Sequence, residues 1–165
     1  DVGANAGEFS AIAAEIAELV VSIDNDPVAV EKNYRNNRKN IIPLLIDLTN
    51  PSSSLGWNLS ERASLIDRGP CDAALALALI HHLVISNNLP FRAVAEFFAK
   101  ITRNLIIEFV PKSDSNAQRL LLSRKDIFSN YTKEHFENSF KSYFNIREQE
   151  AISGSERVLY FMQKR

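Results

Sequence analysis

The chain has 165 residues, of which 45% are apolar and 24% charged, an ordinary globular balance that excludes a disordered, collagenous or coiled-coil protein. Lys and Arg total 19 against 20 Asp and Glu, a net charge of -1, so a globally basic nucleic-acid binder is excluded, though a local basic patch is not. The single cysteine rules out an internal disulfide and argues for a reducing, cytoplasmic setting, and no apolar run approaches the ~20 residues of a membrane helix. The length suits one domain over residues 1–165.

The chain opens on a glycine-bearing turn, Asp1-Val2-Gly3-Ala4-Asn5-Ala6-Gly7, of the kind that follows a buried strand. Phe9, Ile12, Ala13 and Ile16 then recur at helical spacing, predicting a helix over 8–17. Leu19 to Ile23 is a short β-branched run ending at Asp24, and Pro27 opens a helix to about Asn37. Ile41 to Ile46 is a second strand-like run, closed by Asp47. A Pro/Ser/Gly loop follows, and Asn58 with Glu61 three residues later resembles a capping box, predicting a short helix to about Ile66.

Ala73 to Ile80 is apolar throughout, which suits a strand covered on both faces. Phe91, Val94, Ala95, Phe98 and Ile101 form a helical stripe, Leu105 to Val110 reads as another buried strand, and 115–123 and 132–143 as helices. Two final strands, 146–152 and 158–162, are joined by Ser153-Gly154-Ser155-Glu156 as a hairpin. Strand–helix alternation with a terminal hairpin predicts an α/β fold: a mostly parallel sheet between two helix layers, antiparallel at one edge. Ligands in such sheets bind at the carboxyl ends of strands, so the residues to read are the opening turn, Asp24, Asp47, the pair His81-His82, and Glu108 to Pro111.

Asp24 lies 21 residues after Gly3, where a carboxylate can accept the hydroxyls of a ribose, and Asp47 is placed to receive an adenine amino group. Taken alone, Asp24 would equally serve as a helix cap beside Pro27, as would Asn25 or Asp26. The turn is D-x-G-x-x-x-G. Asn5 stands where a dinucleotide-binding turn has its middle glycine, which disfavours a nicotinamide-dependent oxidoreductase, and no phosphate-binding G-x-x-x-x-G-K-[ST] occurs. A leading acid repels phosphate and suits a cationic ligand.

At these residues the chain resembles the class I S-adenosylmethionine-dependent methyltransferases, a Rossmann-like three-layer family. The matching stretches are Asp1, Gly3 and Gly7; Ser22-Ile23-Asp24; Leu45-Ile46-Asp47-Leu48; and Ala78-Leu79-Ile80-His81-His82-Leu83. The resemblance implies that the turn, with Asp1, Gly3, Ala4, Asn5 and Gly7, holds the methionine part of S-adenosylmethionine or its product S-adenosylhomocysteine. It implies that Asp24, with Asn25 beside it, holds the ribose, that Asp47 and Leu48 hold the adenine, and that Leu77 joins the cofactor-binding set. It also implies that a strand, largely missing here, ends at Asp1 between the strands ending at Asp24 and Ile80, and hence that these residues belong to a longer chain.

Methyl transfer needs alignment of acceptor and donor, and a general base only where the acceptor must lose a proton. His81 and His82 are the candidates. In an extended segment their side chains point opposite ways, so one faces the pocket; the competing reading is that they only shape its wall. No metal-ligand cluster accompanies them. The Asn-Pro-Pro-Tyr type of motif, which marks methylation of nucleobase or glutamine amino groups, is absent after this strand, and Cys71, a small residue expected to be buried, precedes the strand rather than ending it. The resemblance implies that the crossover carrying Lys112 to Asp126 covers the active site and chooses the acceptor, whereas each of its charges taken singly reads as part of a solvated face; Arg35, Arg38 and Lys39 beside Tyr34 form a cluster too small to be a strong nucleic-acid signal. The expectation is methyl transfer to an oxygen or nitrogen of an unidentified acceptor, a small molecule, protein or RNA; the alternative is a non-catalytic cofactor-binding or scaffold domain of the same fold within a larger protein.

Overall fold

A computed structural model describes all 165 residues. The chain divides into two compact units, residues 1–53 and 54–165.

In the first unit, α1 (Glu8–Ala13) is followed by β1 (Val20–Asp24), α2 (Pro27–Arg35) and β2 (Ile41–Leu45). β1 and β2 pair in parallel from Val20↔Ile41 to Asp24↔Leu45. Asp1 and Val2 lie along the other edge of β1, with Val2 bridged in parallel to Ile23. The Asp1 nitrogen donates to the Val21 carbonyl at 2.9 Å, and the Ile23 N–H donates to the Asp1 carbonyl at 2.8 Å. α1 stops a turn short of the predicted Ala17. The Asn40 side-chain amide donates to the carbonyls of Ala14 (2.8 Å) and Ala17 (3.2 Å), which have no partner within a helix ending there. α2 begins where Pro27 predicts, and its cap is Asp26, whose carboxylate accepts from the Val28 N–H at 2.8 Å.

The second unit carries a four-stranded sheet in the order β3 (Cys71–Ala76), β4 (Thr102–Phe109), β6 (Val158–Lys164), β5 (Phe144–Ala151). β3 and β4 are parallel; β4–β6 and β6–β5 are antiparallel, as the hairpin predicts. α3 (Phe91–Ile101) presents Phe91, Val94, Ala95 and Phe98 to the core, all at most 3% exposed and spaced three and four apart. α4 (Ser115–Leu122) and α5 (Lys133–Lys141) complete the unit. Phe136 of α5 centres the core, with its ring 4.5 Å from Phe140, 5.2 Å from Phe109 and 5.3 Å from Tyr160.

Three local expectations are corrected. No helix forms over 58–66. Asn58 and Leu59 are left-handed (φ 53° and 54°) inside a single 3₁₀ turn, Trp57–Leu59, which the Leu55–Arg62 bridge closes. Asparagine tolerates that conformation, and the turn wins over the capping pattern. The strand predicted to reach Ile80 ends at Ala76, and the rest of the apolar run is a turn that leads into a π-helix, His82–Ser86. Cys71 is exposed at the start of β3 rather than buried.

Candidate functional site

In the first unit the strand ends bring the predicted cofactor residues together. Asp24 closes β1, and its carbonyl accepts from the Ile46 N–H at 3.0 Å, so the two strand ends and the following Asp47 stay adjacent. One Asp24 carboxylate oxygen accepts from the Asn5 N–H at 2.7 Å and the other from the Asp26 N–H at 2.9 Å. The ribose candidate is thus bonded directly to the glycine turn. The turn keeps its shape through three left-handed residues, Gly3 (φ 74°), Asn5 (φ 49°) and Gly7 (φ 81°); the Asn5 side chain stabilises its own bend by accepting from the Ala6 N–H at 2.7 Å. Gly3 and Asn5 face solvent, whereas Ala4 and Gly7 are buried. Asn25 is exposed beside Asp24. Asp47 accepts from both the N–H (2.8 Å) and the hydroxyl (2.7 Å) of Thr49, and the hydroxyl bond first of all holds its carboxyl below the usual range. Leu48 follows, half-buried.

This donor set suits S-adenosylmethionine. Each Asp24 oxygen has one backbone donor and retains a lone pair for a hydroxyl. The segment from Asp1 to Asp24 contains carboxylates but no Lys or Arg side chain, so its own side chains favour a positive ligand over a phosphate.

In the second unit the turn after β3 is set by an acid that the sequence marks only as a charge inside an apolar run, Leu105-Ile106-Ile107-Glu108-Phe109. Glu108 is 5% exposed. Its Oε2 accepts from the N–H of Ala78, a left-handed alanine (φ 47°), at 2.6 Å. Its Oε1 accepts from Arg157 Nη1 at 3.1 Å, while Arg157 Nε donates to Asp114 at 2.7 Å. Asp114 in turn caps α4 through the Asn116 N–H. Arg157 thereby joins the ends of β3 and β4, the start of β6 and the head of α4, and its hydrogen bond holds the Asp114 carboxyl below the ordinary range. Sequence reasoning singled out Glu108 as a strand end but gave it no partner; the pairings span 43 and 49 residues and leave no local signal.

Leu77 sits half-buried in this turn. His81 and His82 are helical, not extended, so their separation follows from the helix: His81 is 1% exposed and His82 is exposed, with ring centroids 4.2 Å apart. Neither ring nitrogen of His81 has a hydrogen-bond partner. Burial above all, then the neighbouring His82 and Arg157, pushes its pKa down to about 4, so it is neutral near pH 7. A base that weak is poorly matched to proton abstraction at neutral pH, though a neutral imidazole can still donate and accept hydrogen bonds. The histidines begin a π-helix, a form common at functional sites. Arg124 of the crossover donates to the carbonyls of Ile85 and Ser86 and to Asn88 Oδ1 (2.7 Å) at its far end. Lys112 likewise bonds Asp126 at 2.8 Å, so these crossover charges are engaged rather than merely solvated.

No family model matches the chain. It is 39% identical over 168 residues to the nodulation protein NoeA of Rhizobium meliloti (strain 1021); the match takes in 99% of this chain and 35% of NoeA, so the chain spans about a third of that relative's length. Among solved structures it is similar to the PH0226 protein of Pyrococcus horikoshii OT3 (TM-score 0.65, 15% identity, 100% of this chain and 80% of that one). It is also similar to magnesium protoporphyrin IX methyltransferase (ChlM) of Synechocystis PCC 6803 with bound S-adenosylhomocysteine (0.65, 16%, 100% and 72%) and to the bifunctional kinase-methyltransferase WbdD (0.62, 16%, 99% and 34%). At such identities the likeness is one of architecture, and the fold of this chain is that of the class I S-adenosylmethionine-dependent methyltransferases.

Proposed function

We propose that this chain binds S-adenosylmethionine and transfers its methyl group to an oxygen or nitrogen of an acceptor, a small molecule, protein or RNA. The observation that carries the reading is the hydrogen bond from the Asn5 N–H to the Asp24 carboxylate, which joins the glycine turn to a strand-end acid. Asp1, Gly3, Ala4, Asn5 and Gly7 hold the methionine part, Asp24 and Asn25 the ribose, Asp47 and Leu48 the adenine, and Leu77 adds apolar contact. When bound, the cofactor supplies an electrophilic methyl on a sulfonium; the protein's share is to align the acceptor with it and exclude water. His81 and His82, their ring centroids 4.2 Å apart, are the candidate catalytic residues, and of the two only His82 is exposed and so placed to meet an acceptor directly. A lone thiol, Cys71, suits the reducing cytoplasm, and no helix is long and apolar enough to cross a membrane.

Calorimetric titration of the folded full-length protein with S-adenosylmethionine and S-adenosylhomocysteine tests binding, and absence of heat refutes the reading. Incubating candidate acceptors with a labelled methyl donor then tests transfer. The second reading is a cofactor-binding or scaffold domain without turnover within a larger protein, and the chain's spanning 35% of NoeA fits its larger-protein part; binding without transfer to any acceptor would select it.

A further inference from the structure

Beneath the opening turn runs a line of buried polar side chains, one from each element of the first unit that packs there. Ser10 of α1, Ser22 of β1 and Asn33 of α2 are 0%, 1% and 4% exposed. Asn33 Nδ2 donates to Ser22 Oγ at 2.7 Å, the Ser22 and Ser10 oxygens are 2.9 Å apart, and Ser10 Oγ donates to Asp1 Oδ2 at 2.7 Å. Each hydroxyl has one proton, while the amide nitrogen at one end only donates and the carboxylate at the other only accepts. Ser10 therefore spends its proton on Asp1, and Ser22 spends its own on Ser10. One direction satisfies every bond, and it ends on the acid of the turn. Small apolar residues would fill these positions without the desolvation cost of two hydroxyls and an amide, a cost that the bond at the end of the chain, to Asp1, offsets.

We propose that Ser10, Ser22 and Asn33 are positioning residues: their one-way hydrogen-bond chain holds Asp1 Oδ2 and fixes the plane in which that carboxylate meets the cationic amino group of the methionine moiety. This rests on the reading of the turn as the methionine-holding segment. The other end of the turn is bound to the same chain. A Cβ on Gly7 would lie 2.3 Å from Asn33 Oδ1 and 2.4 Å from Nδ2, so Gly7 is glycine because the first donor of the chain occupies that space. The turn is thus fixed at Asp1 by hydrogen bonding and at Gly7 by packing, through one continuous set of side chains.

The test compares two ligands on the full-length protein: S-adenosylhomocysteine, and 5′-methylthioadenosine, which keeps the adenosine and sulfur but lacks the amino-acid portion. Calorimetry on Ser10→Ala should show affinity for S-adenosylhomocysteine reduced about tenfold, the scale of one hydrogen bond to a charged group, with affinity for 5′-methylthioadenosine unchanged. Ser22→Ala breaks the chain one link further away and should show the same selective loss; it serves if Ser10→Ala does not fold. Equal losses for both ligands would mean the serines act only through general stability, and no loss for either would mean that Asp1 is held without them; each result overturns the proposal while leaving cofactor binding intact. A wild-type protein that binds neither ligand refutes the methyltransferase reading itself, and this proposal with it.

Discussion

His81 makes the stability of this protein depend on pH in a calculable way. Its imidazole has an ordinary pKa of 6.5 in the unfolded chain and about 4 in the folded one, chiefly because the ring is buried, with the neighbouring His82 and Arg157 adding to the shift and Asp114 opposing it. Between those values the unfolded state binds a proton that the native state does not, so stability rises with pH there. The contribution is fully present above about pH 6.5 and is lost as pH falls toward 4. At about 1.4 kcal/mol per pH unit for one proton, acidification across this window costs about 3 kcal/mol. Urea denaturation of wild type and His81→Leu from about pH 7.5 to about pH 4.5 measures it. Other groups titrate in both proteins, so the difference isolates the histidine. Wild type should lose about 3 kcal/mol more than the variant over that range. At neutral pH the variant should be within about 1 kcal/mol of wild type, since leucine replaces a ring whose nitrogens have no partners. Parallel stability curves for the two proteins would show that His81 is not held neutral by burial.

The other predictions concern the two units separately. Arg157→Met strands the Glu108 and Asp114 carboxylates, 7% and 12% exposed as side chains, and should cost about 3–5 kcal/mol at neutral pH; Glu108→Gln in the same background should recover part of it in a double-variant denaturation cycle, and additive losses would contradict direct coupling. Asp24→Ala should weaken S-adenosylhomocysteine binding by about 1–3 kcal/mol in calorimetry, and unchanged affinity would place the ribose elsewhere. Gly7→Ala sets a Cβ against Asn33 and forces alanine to φ 81°, so a loss of at least about 2 kcal/mol is expected on denaturation; a melting temperature equal to wild type would mean the turn relaxes freely. Asp26→Ala removes the side-chain cap of α2 and should cost about 1 kcal/mol, read by the same melts, with Asp26→Ser retaining most of the stability.

What depends on neighbours in sequence was legible without coordinates. The three- and four-residue spacing of Phe91, Val94, Ala95 and Phe98 specified α3, Pro27 the start of α2, and the Ser153–Glu156 connection the hairpin, because periodicity and turn chemistry act within a few residues. Asp24 and Asp47 were readable as site candidates for the same reason, each closing a β-branched or apolar run. Tertiary structure decided whatever depended on distant partners. The run from Ala73 to Ile80 is uniformly apolar, and such a run does not say where strand gives way to turn; the Glu108 bond to the Ala78 N–H marks that break, 30 residues away in sequence. The break leaves His81 and His82 on a helix, burying one and exposing the other. The Asn58–Glu61 capping pattern was locally sound and lost to a bridge between Leu55 and Arg62. Arg157 with its two acids, and the serine–asparagine chain under the opening turn, join side chains whose sequence separation no periodic signal records, and only folding brings their donors and acceptors within bonding distance.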